Sequence, residues 1–266
     1  MEYDPIKRSL GNVFNKTPFL RKIFYRLLDL LLLRAWHVHK ELKPFSKVSN
    51  LQILDAGAGF GQYSLWMFNR FKQCNIKALD VKEEQVADCN NFFKAIGAAN
   101  VKFEVGDLTI YKTANTYDLV VCVDVMEHIL EDEKVFSNYY ASMKKGGMLL
   151  ISTPSDQGGS DVHSDGETSF IEEHVRDGYN IGDITNKLKR AGFEKVIARY
   201  QYGWPGKISW RLSMKFPIQL LGISKIFFIV VPVYYAIVYP FCYLLNWIDT
   251  YTNHSTGTGL IVKAYK

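Results

Sequence analysis

At 266 residues, with 48% apolar and 22% charged side chains, the chain can build one α/β domain with additions. Its formal net charge of +5 favours an anionic surface but is too small to argue for nucleic acid as a partner. Four scattered cysteines, Cys74, Cys89, Cys122 and Cys242, show no C-x-x-C and no framework spacing, so free thiols in a reduced compartment are expected. The first ten residues have no apolar core, so no cleavable leader is expected.

Residues 16–43 predict one long helix or two. Thr17 suits the cap and Pro18 the first helical position. Phe19, Leu20, Ile23, Phe24, Leu27, Leu28, Leu31 and Leu32 fall at i, i+3, i+4 spacing and form an apolar stripe. Lys16, Arg21, Lys22, Arg26 and Arg34 lie around it, and Asp29 is the only acid between Lys16 and Glu41. A basic amphipathic helix of this kind suits a membrane interface. It suits equally well a cover over a substrate pocket, and both readings stay open. His37 and His39 read as ordinary surface residues.

The chain is organised around the stretch Leu51-Gln52-Ile53-Leu54-Asp55-Ala56-Gly57-Ala58-Gly59-Phe60-Gly61-Gln62-Tyr63-Ser64. A short apolar run ends in an acid, a glycine-rich turn comes next, and then residues that fit a helix: a buried strand feeding a loop at a helix N-terminus. Gly57, Gly59 and Gly61 let a ligand press against bare backbone. A dinucleotide loop wants G-x-G-x-x-G, but here the third glycine comes one residue early and Gln62 stands in its place. Strands at 51–55, 76–80, 101–105, 117–124 and 147–153 alternate with helices at 62–72, 83–96 and 131–144. That alternation predicts a parallel sheet with right-handed crossovers and a ligand at the carboxyl ends of its strands. Those ends carry Asp55, Asp80 and, in Gly106-Asp107-Leu108, a third acid. One such acid alone reads as a helix N-cap; three in register after successive strands point to a ligand.

The D-x-G-x-G-x-G loop after a strand resembles the first motif of the class I S-adenosylmethionine (SAM)-dependent methyltransferases, and the resemblance extends over residues 51–192 and the last strand. It implies that Gly57, Gly59 and Gly61 pass close to the methionine part of the cofactor, with Asp55 near its ammonium group, directly or through water. It implies that Asp80, with Val81 beside it, takes the ribose hydroxyls, that Asp107 bonds the adenine amino group and that Leu108 flanks the ring. Cys122-Val123-Asp124-Val125-Met126-Glu127-His128-Ile129 resembles the D/E-x-x-E-H stretch of ubiquinone-pathway O-methyltransferases and of the 2′-O-methyltransferases of small-RNA 3′ ends. The resemblance places it above the transferring methyl group. It also implies a divalent ion, Mg, Mn or Zn, held by Asp124, Glu127, His128 and a further histidine, which would lower the pKa of an acceptor hydroxyl. Many metal-free members of the superfamily carry the same Glu-His pair, with the acid capping a helix and the histidine packing, so the metal stays an alternative.

Residues 156–166 are polar and glycine-rich, a mobile loop expected where a lid belongs. The H-V-R-x-G-Y stretch His174-Val175-Arg176-Asp177-Gly178-Tyr179 recurs in the superfamily ahead of a helix and looks toward the active site. It makes His174 the first candidate for general base or for the missing metal ligand, with His163 second; the alternative for His174 is a structural partner for a carboxylate. A helix at 181–191, closed by Gly192, and a strand at 193–200 come next.

The last strand, 259–266, is expected to insert antiparallel beside strand six. A short hairpin would join them, yet about fifty residues intervene, and residues 226–245 carry no charge. Twenty such residues would reach about 30 Å as a helix, enough for a bilayer core. A single crossing would strand the last strand on the far side, and Pro232 and Pro240 predict a break into short helices. A helical hairpin dipping into one leaflet is expected instead, with Lys207, Arg211, Lys215 and Lys225 meeting anionic head groups and tyrosines and tryptophans at the interface. The alternative is a buried cap or a dimer interface on a soluble enzyme.

These readings combine into a seven-stranded Rossmann-like sheet with an antiparallel last strand. Residues 1–50 form an N-terminal helical region, 51–204 the SAM-binding core, 205–256 an apolar insert and 257–266 the last strand. The function implied is SAM-dependent O-methylation of a phenolic or hydroxyl head group on a lipophilic, polyprenyl- or polyene-like acceptor, with His174, His128 and Glu127 as the catalytic set. The alternatives are methylation of a lipid-linked sugar or an acyl carboxyl, or a non-catalytic SAM-binding scaffold. The expected setting is cytoplasmic, on the inner face of the membrane through residues 16–34 and 205–250, with no nucleic acid.

Overall fold

The computed structural model describes residues 17–158, 175–223 and 227–266. Seven strands build one sheet: β1 (Leu51–Ala56), β2 (Cys74–Asp80), β3 (Val101–Val105), β4 (Tyr117–Val123), β5 (Met143–Pro154), β6 (Lys195–Gln201) and β7 (Gly259–Tyr265). Their order is β3-β2-β1-β4-β5-β7-β6. The first five pair in parallel, and β7 runs antiparallel to both β5 and β6, as expected. The central strands bury both faces, which is why they read as unbroken apolar runs. Ile53, Ile76, Leu119, Val121 and Leu150 meet Leu65, Phe92 and Phe93 on one side. Leu54, Val120, Leu149 and Ile151 meet Val135, Phe136, Ile184 and Leu188 on the other. All four cysteines are free and buried.

The N-terminal region is two helices, α1 (Pro18–Leu31) and α2 (Leu33–Leu42), broken by the extended Leu32. Thr17 caps α1, its hydroxyl accepting from the Leu20 N–H at 3.2 Å. The apolar stripe is only partly covered, Phe24 and Leu28 packing against the core. The buried residues of α1 are Arg21 and Tyr25, while Phe19, Leu27 and Leu30 are exposed. The crossover helices are α3 (Gln62–Arg70), α4 (Glu83–Ala95), α5 (Asp132–Ser142) and α6 (Ile181–Arg190).

Between β6 and β7 lie α7 (Trp204–Trp210), a π-helical turn (Arg211–Lys215), α8 (Phe216–Ile223) and α9 (Phe227–Tyr251). The expected break at the prolines does not occur: α9 runs through Pro232 and Pro240. Each proline removes one ladder bond, but both sit on the exposed side of the helix. The opposite side is pinned by Tyr234 donating to Leu212 O at 2.9 Å and Tyr235 to Ser213 O at 2.6 Å.

His37 is fully buried, contrary to its reading as a surface residue, and His39 is largely buried too. His37 Nε2 meets Asp249 Oδ1 of α9 at 2.8 Å, and Arg199 of β6 donates to His37 Nδ1 at 2.9 Å. This fixes the neutral ring with its proton on Nε2, and burial lowers its pKa in the same sense. Asp249 also accepts from the backbone N–H groups of Tyr202 and Gly206. Arg199 and Lys263 share Glu41 at 2.9 and 2.6 Å. A buried polar network therefore docks α2 and α9 on the β6–β7 edge.

Candidate active site

The order of connection reverses between β1 and β4, since β1 leads outward to β2 and β4 leads outward to β5. Chains diverge there and leave a crevice at the carboxyl ends, the position where open α/β sheets bind ligands. The glycine loop forms one wall. Gly57, Gly59 and Gly61 all have left-handed φ, +73°, +51° and +78°. A Cβ at Gly57 would strike Val125, and one at Gly61 would strike Phe103, so packing alone accounts for both. At Gly59 nothing lies within 4 Å of a built Cβ, so this is the glycine that faces open space.

Asp80, at the end of β2, accepts from the Gly59 N–H at 2.8 Å through Oδ2 and from the Lys82 N–H at 3.0 Å through Oδ1. Each carboxylate oxygen keeps a second lone pair for a ligand hydroxyl. Val81 beside it is exposed. Asp107 is exposed too. The Thr109 N–H bonds Asp107 Oδ1 at 2.8 Å and holds that carboxyl below its ordinary pKa, while Leu108 is buried at its side. These residues fit a nucleoside: an open glycine, a half-exposed acid with free acceptor capacity and an apolar ledge. Asp55 is placed differently. Its buried carboxyl accepts from Ser64 Oγ at 2.6 Å, and burial pushes its pKa up to about 6.

The turn after β4 sits opposite. Asp124, in a left-handed conformation (φ +53°), forms an ion pair with Arg34 of α2. Glu127 is buried, accepts from Thr153 Oγ1 at 3.0 Å, and burial raises its pKa. His128 is exposed. Val175 donates its N–H to Glu127 O at 3.0 Å, so the described end of the H-V-R-x-G-Y stretch lies against the turn. His163 and His174 fall outside the described residues. Among the described residues no three His, Cys, Asp or Glu side chains converge as metal ligands, and the guanidinium of Arg34 already meets Asp124. Arg176 instead ties Asp132, Tyr179 and Ile129 O together, and Lys187 joins at Asp132, at 2.9 Å. This half of the motif is a brace under the turn.

The N-terminal helices reach the glycine loop and the turn after β4 through polar side chains that the sequence did not mark as anchors. Arg21 is buried and donates to Tyr25 Oη at 2.6 Å and to Phe60 O, inside the glycine loop, at 3.1 Å. Tyr25 donates to the same carbonyl. Asp29, its pKa pushed up to about 6 by burial, accepts from Gln62 Nε2 at 2.7 Å. The available signal was four polar residues, Arg21, Tyr25, Asp29 and Arg34, interrupting an apolar helix.

Residues 47–198 match the family model described as a methyltransferase domain. The chain is similar to (S)-coclaurine N-methyltransferase of Papaver somniferum, 27% identical over 146 residues, covering 55% of this chain and 39% of that protein. It is similar to the ubiquinone biosynthesis O-methyltransferase of Rickettsia felis, 25% identical over 116 residues, covering 44% of this chain and 46% of the relative. The chain thus spans less than half the length of these curated relatives. Its fold is similar to that of phosphoethanolamine N-methyltransferase 2 of Haemonchus contortus, solved with S-adenosyl-L-methionine. The TM-score is 0.62 at 20% identity, over 91% of this chain and 60% of that one, a likeness of fold.

Proposed function

The chain belongs to the methyltransferase-domain family, with the fold of class I SAM-dependent methyltransferases, and from that premise we propose that it transfers a methyl group from SAM to an oxygen of a lipophilic acceptor at a membrane surface. The acceptor is a phenolic or hydroxyl head group on a polyprenyl- or polyene-like tail, met on the cytoplasmic face. The observation that carries this reading is that α1, which bonds the glycine loop through Arg21 and Tyr25, also meets α9 where Tyr239 donates to Leu30 O. The outward residues of the two helices, Phe19, Leu27 and Leu30 on one and Ile229, Val233, Ile237 and Phe241 on the other, are apolar and exposed.

When bound, SAM supplies a methyl group activated on a sulfonium. Asp80 and Asp107 hold the nucleoside end, and Gly59 leaves it room. Arg21 and Tyr25 keep α1 on the glycine loop, which excludes water from the reacting atoms. Glu127, held by Thr153 and raised in pKa by burial, is the candidate proton acceptor of this turn. His174 remains the first candidate for the base in direct contact with the acceptor.

An amine acceptor is the second reading, favoured by the N-methyltransferases among the similar proteins. Product analysis separates the two. Purified protein is given SAM with a deuterated methyl group and a total membrane-lipid extract, and the chloroform phase is read by mass spectrometry. A lipid gaining one labelled methyl on oxygen is expected. A labelled quaternary or tertiary amine would transfer the reading to nitrogen. SAM binding without any labelled product would leave the non-catalytic scaffold.

A further inference from the structure

Helix α9 is built inside out. Its packed side holds Asn246, Asp249 and Thr250, all buried, beside Val231 and Cys242. Its outward side reads Ile229, Pro232, Val233, Ala236, Ile237, Pro240, Phe241, Leu244, Trp247 and Tyr251, none of them buried and none charged. These positions recur at three- and four-residue steps, one face of a helix. The exposure is large, 76% at Ile229, 62% at Val233, 65% at Ile237 and 66% at Phe241. The face runs the 23 residues Ile229–Tyr251, about 33 Å at the helical rise. An apolar face this long left in water marks an interaction surface.

Three features identify what covers it. First, it does not end at α9. Tyr239 donates to Leu30 O, and the Trp36 ring meets Tyr243 with centroids 4.8 Å apart, so the exposed Leu27 and Leu30 of α1 adjoin it. Second, the exposed charges of α1 and the charges of the insert's sequence up to Ile248 have one sign. Lys22 and Arg26 lie on α1, and from Trp204 to Ile248 the sequence has Lys207, Arg211, Lys215 and Lys225 and no acid. Pairing of this surface with a second copy would set like charges against each other. Third, aromatic residues cluster toward the α9 C-terminus, where Tyr243, Trp247 and Tyr251 are exposed, as at a lipid head-group level.

Resting on the membrane-surface reading above, we propose that α9 and α1 form one docking surface for an anionic lipid bilayer. The outward face of α9 lies in the interfacial plane and enters the head-group and acyl boundary by about 5–10 Å. Lys22 and Arg26 supply the preference for anionic lipid. Both ends of the insert return to the same sheet through β6 and β7, so α9 lies on the membrane and does not span it.

The test uses the full chain and sedimentation with vesicles of phosphatidylcholine alone or with a quarter phosphatidylglycerol. Binding to the mixed vesicles is expected, weaker in high salt and at least ten-fold weaker without phosphatidylglycerol. Val233→Glu with Ile237→Glu should abolish it. Circular dichroism should stay unchanged, since both side chains already face out. Lys22→Ala with Arg26→Ala should weaken it about five-fold per charge removed. Absence of binding to either vesicle, or equal binding to both, overturns the proposal. So does a dimer by light scattering that the double glutamate variant dissociates in the absence of vesicles. Calorimetry of S-adenosylhomocysteine on the same preparation separates the two readings: vesicle binding without cofactor binding would remove the methyltransferase reading and leave the surface intact.

Discussion

Replacing Asp55 by Asn should make the protein more stable above neutral pH. The buried carboxyl is raised from an ordinary value near 4 to about 6, about 2 pH units, and at ~1.4 kcal/mol per unit this is ~3 kcal/mol of cost in the ionised folded state. Burial is the main cause, and the Ser64 hydrogen bonds offset part of it. Asn keeps the size and one oxygen for Ser64 but loses the second acceptor, worth ~1 kcal/mol. The net gain is about 2 kcal/mol at pH 8. The sign comes from proton linkage. Between about pH 4 and 6 the folded state binds more protons than the unfolded, so the wild type loses stability as pH rises through that window. The gain from Asn should therefore shrink to ~0.5 kcal/mol at pH 5. Urea unfolding at pH 5, 6, 7 and 8, read as the difference between variant and wild type, cancels groups such as His39, which burial lowers to about 3. A variant less stable than wild type at pH 8, with a difference flat across pH, would refute the reasoning.

Asp80→Ala should weaken S-adenosylhomocysteine binding roughly 100-fold in calorimetry, the loss of two hydrogen bonds to a charged acceptor; unchanged affinity would displace the ribose from β2. Gly178→Ala should lower stability by ~3 kcal/mol or more, because φ is +146° and the new Cβ would lie 2.4 Å from Ser155 O; a thermal midpoint equal to wild type would contradict this. His37→Leu should cost ~3 kcal/mol by leaving Asp249 short of its buried donor, and should open the α9 C-terminus to limited proteolysis before the sheet unfolds. A protease pattern like that of wild type would mean α9 docks without the network.

The strand order and the acids at the strand ends were legible because each depends on local signals. Apolar runs buried on both faces mark β1, β4 and β5, and the glycine loop after β1 needs no distant partner to be seen. Strand five illustrates the limit: it begins at Met143, earlier than its apolar run, because pairing with Tyr117 extends it. A cover over the pocket was one open reading of residues 16–43, but its anchors were not legible. Arg21 and Arg34 look like members of a basic helix surface, and only the fold brings one to Phe60 O and the other to Asp124. His37 and Asp249 lie 212 positions apart, so no periodicity links them. The prolines of α9 misled for a related reason: propensity counts the lost ladder bonds, whereas anchoring by Tyr234 and Tyr235 is tertiary.

The most direct measurement is scintillation counting of an organic extract after incubating purified protein with methyl-labelled SAM and total membrane lipid, with and without chelator, beside the Asp80→Ala variant. Label in the organic phase is expected with wild type, unaffected by chelator, and lost with the variant. Label confined to the aqueous phase, in protein that binds S-adenosylhomocysteine, would contradict a lipophilic acceptor.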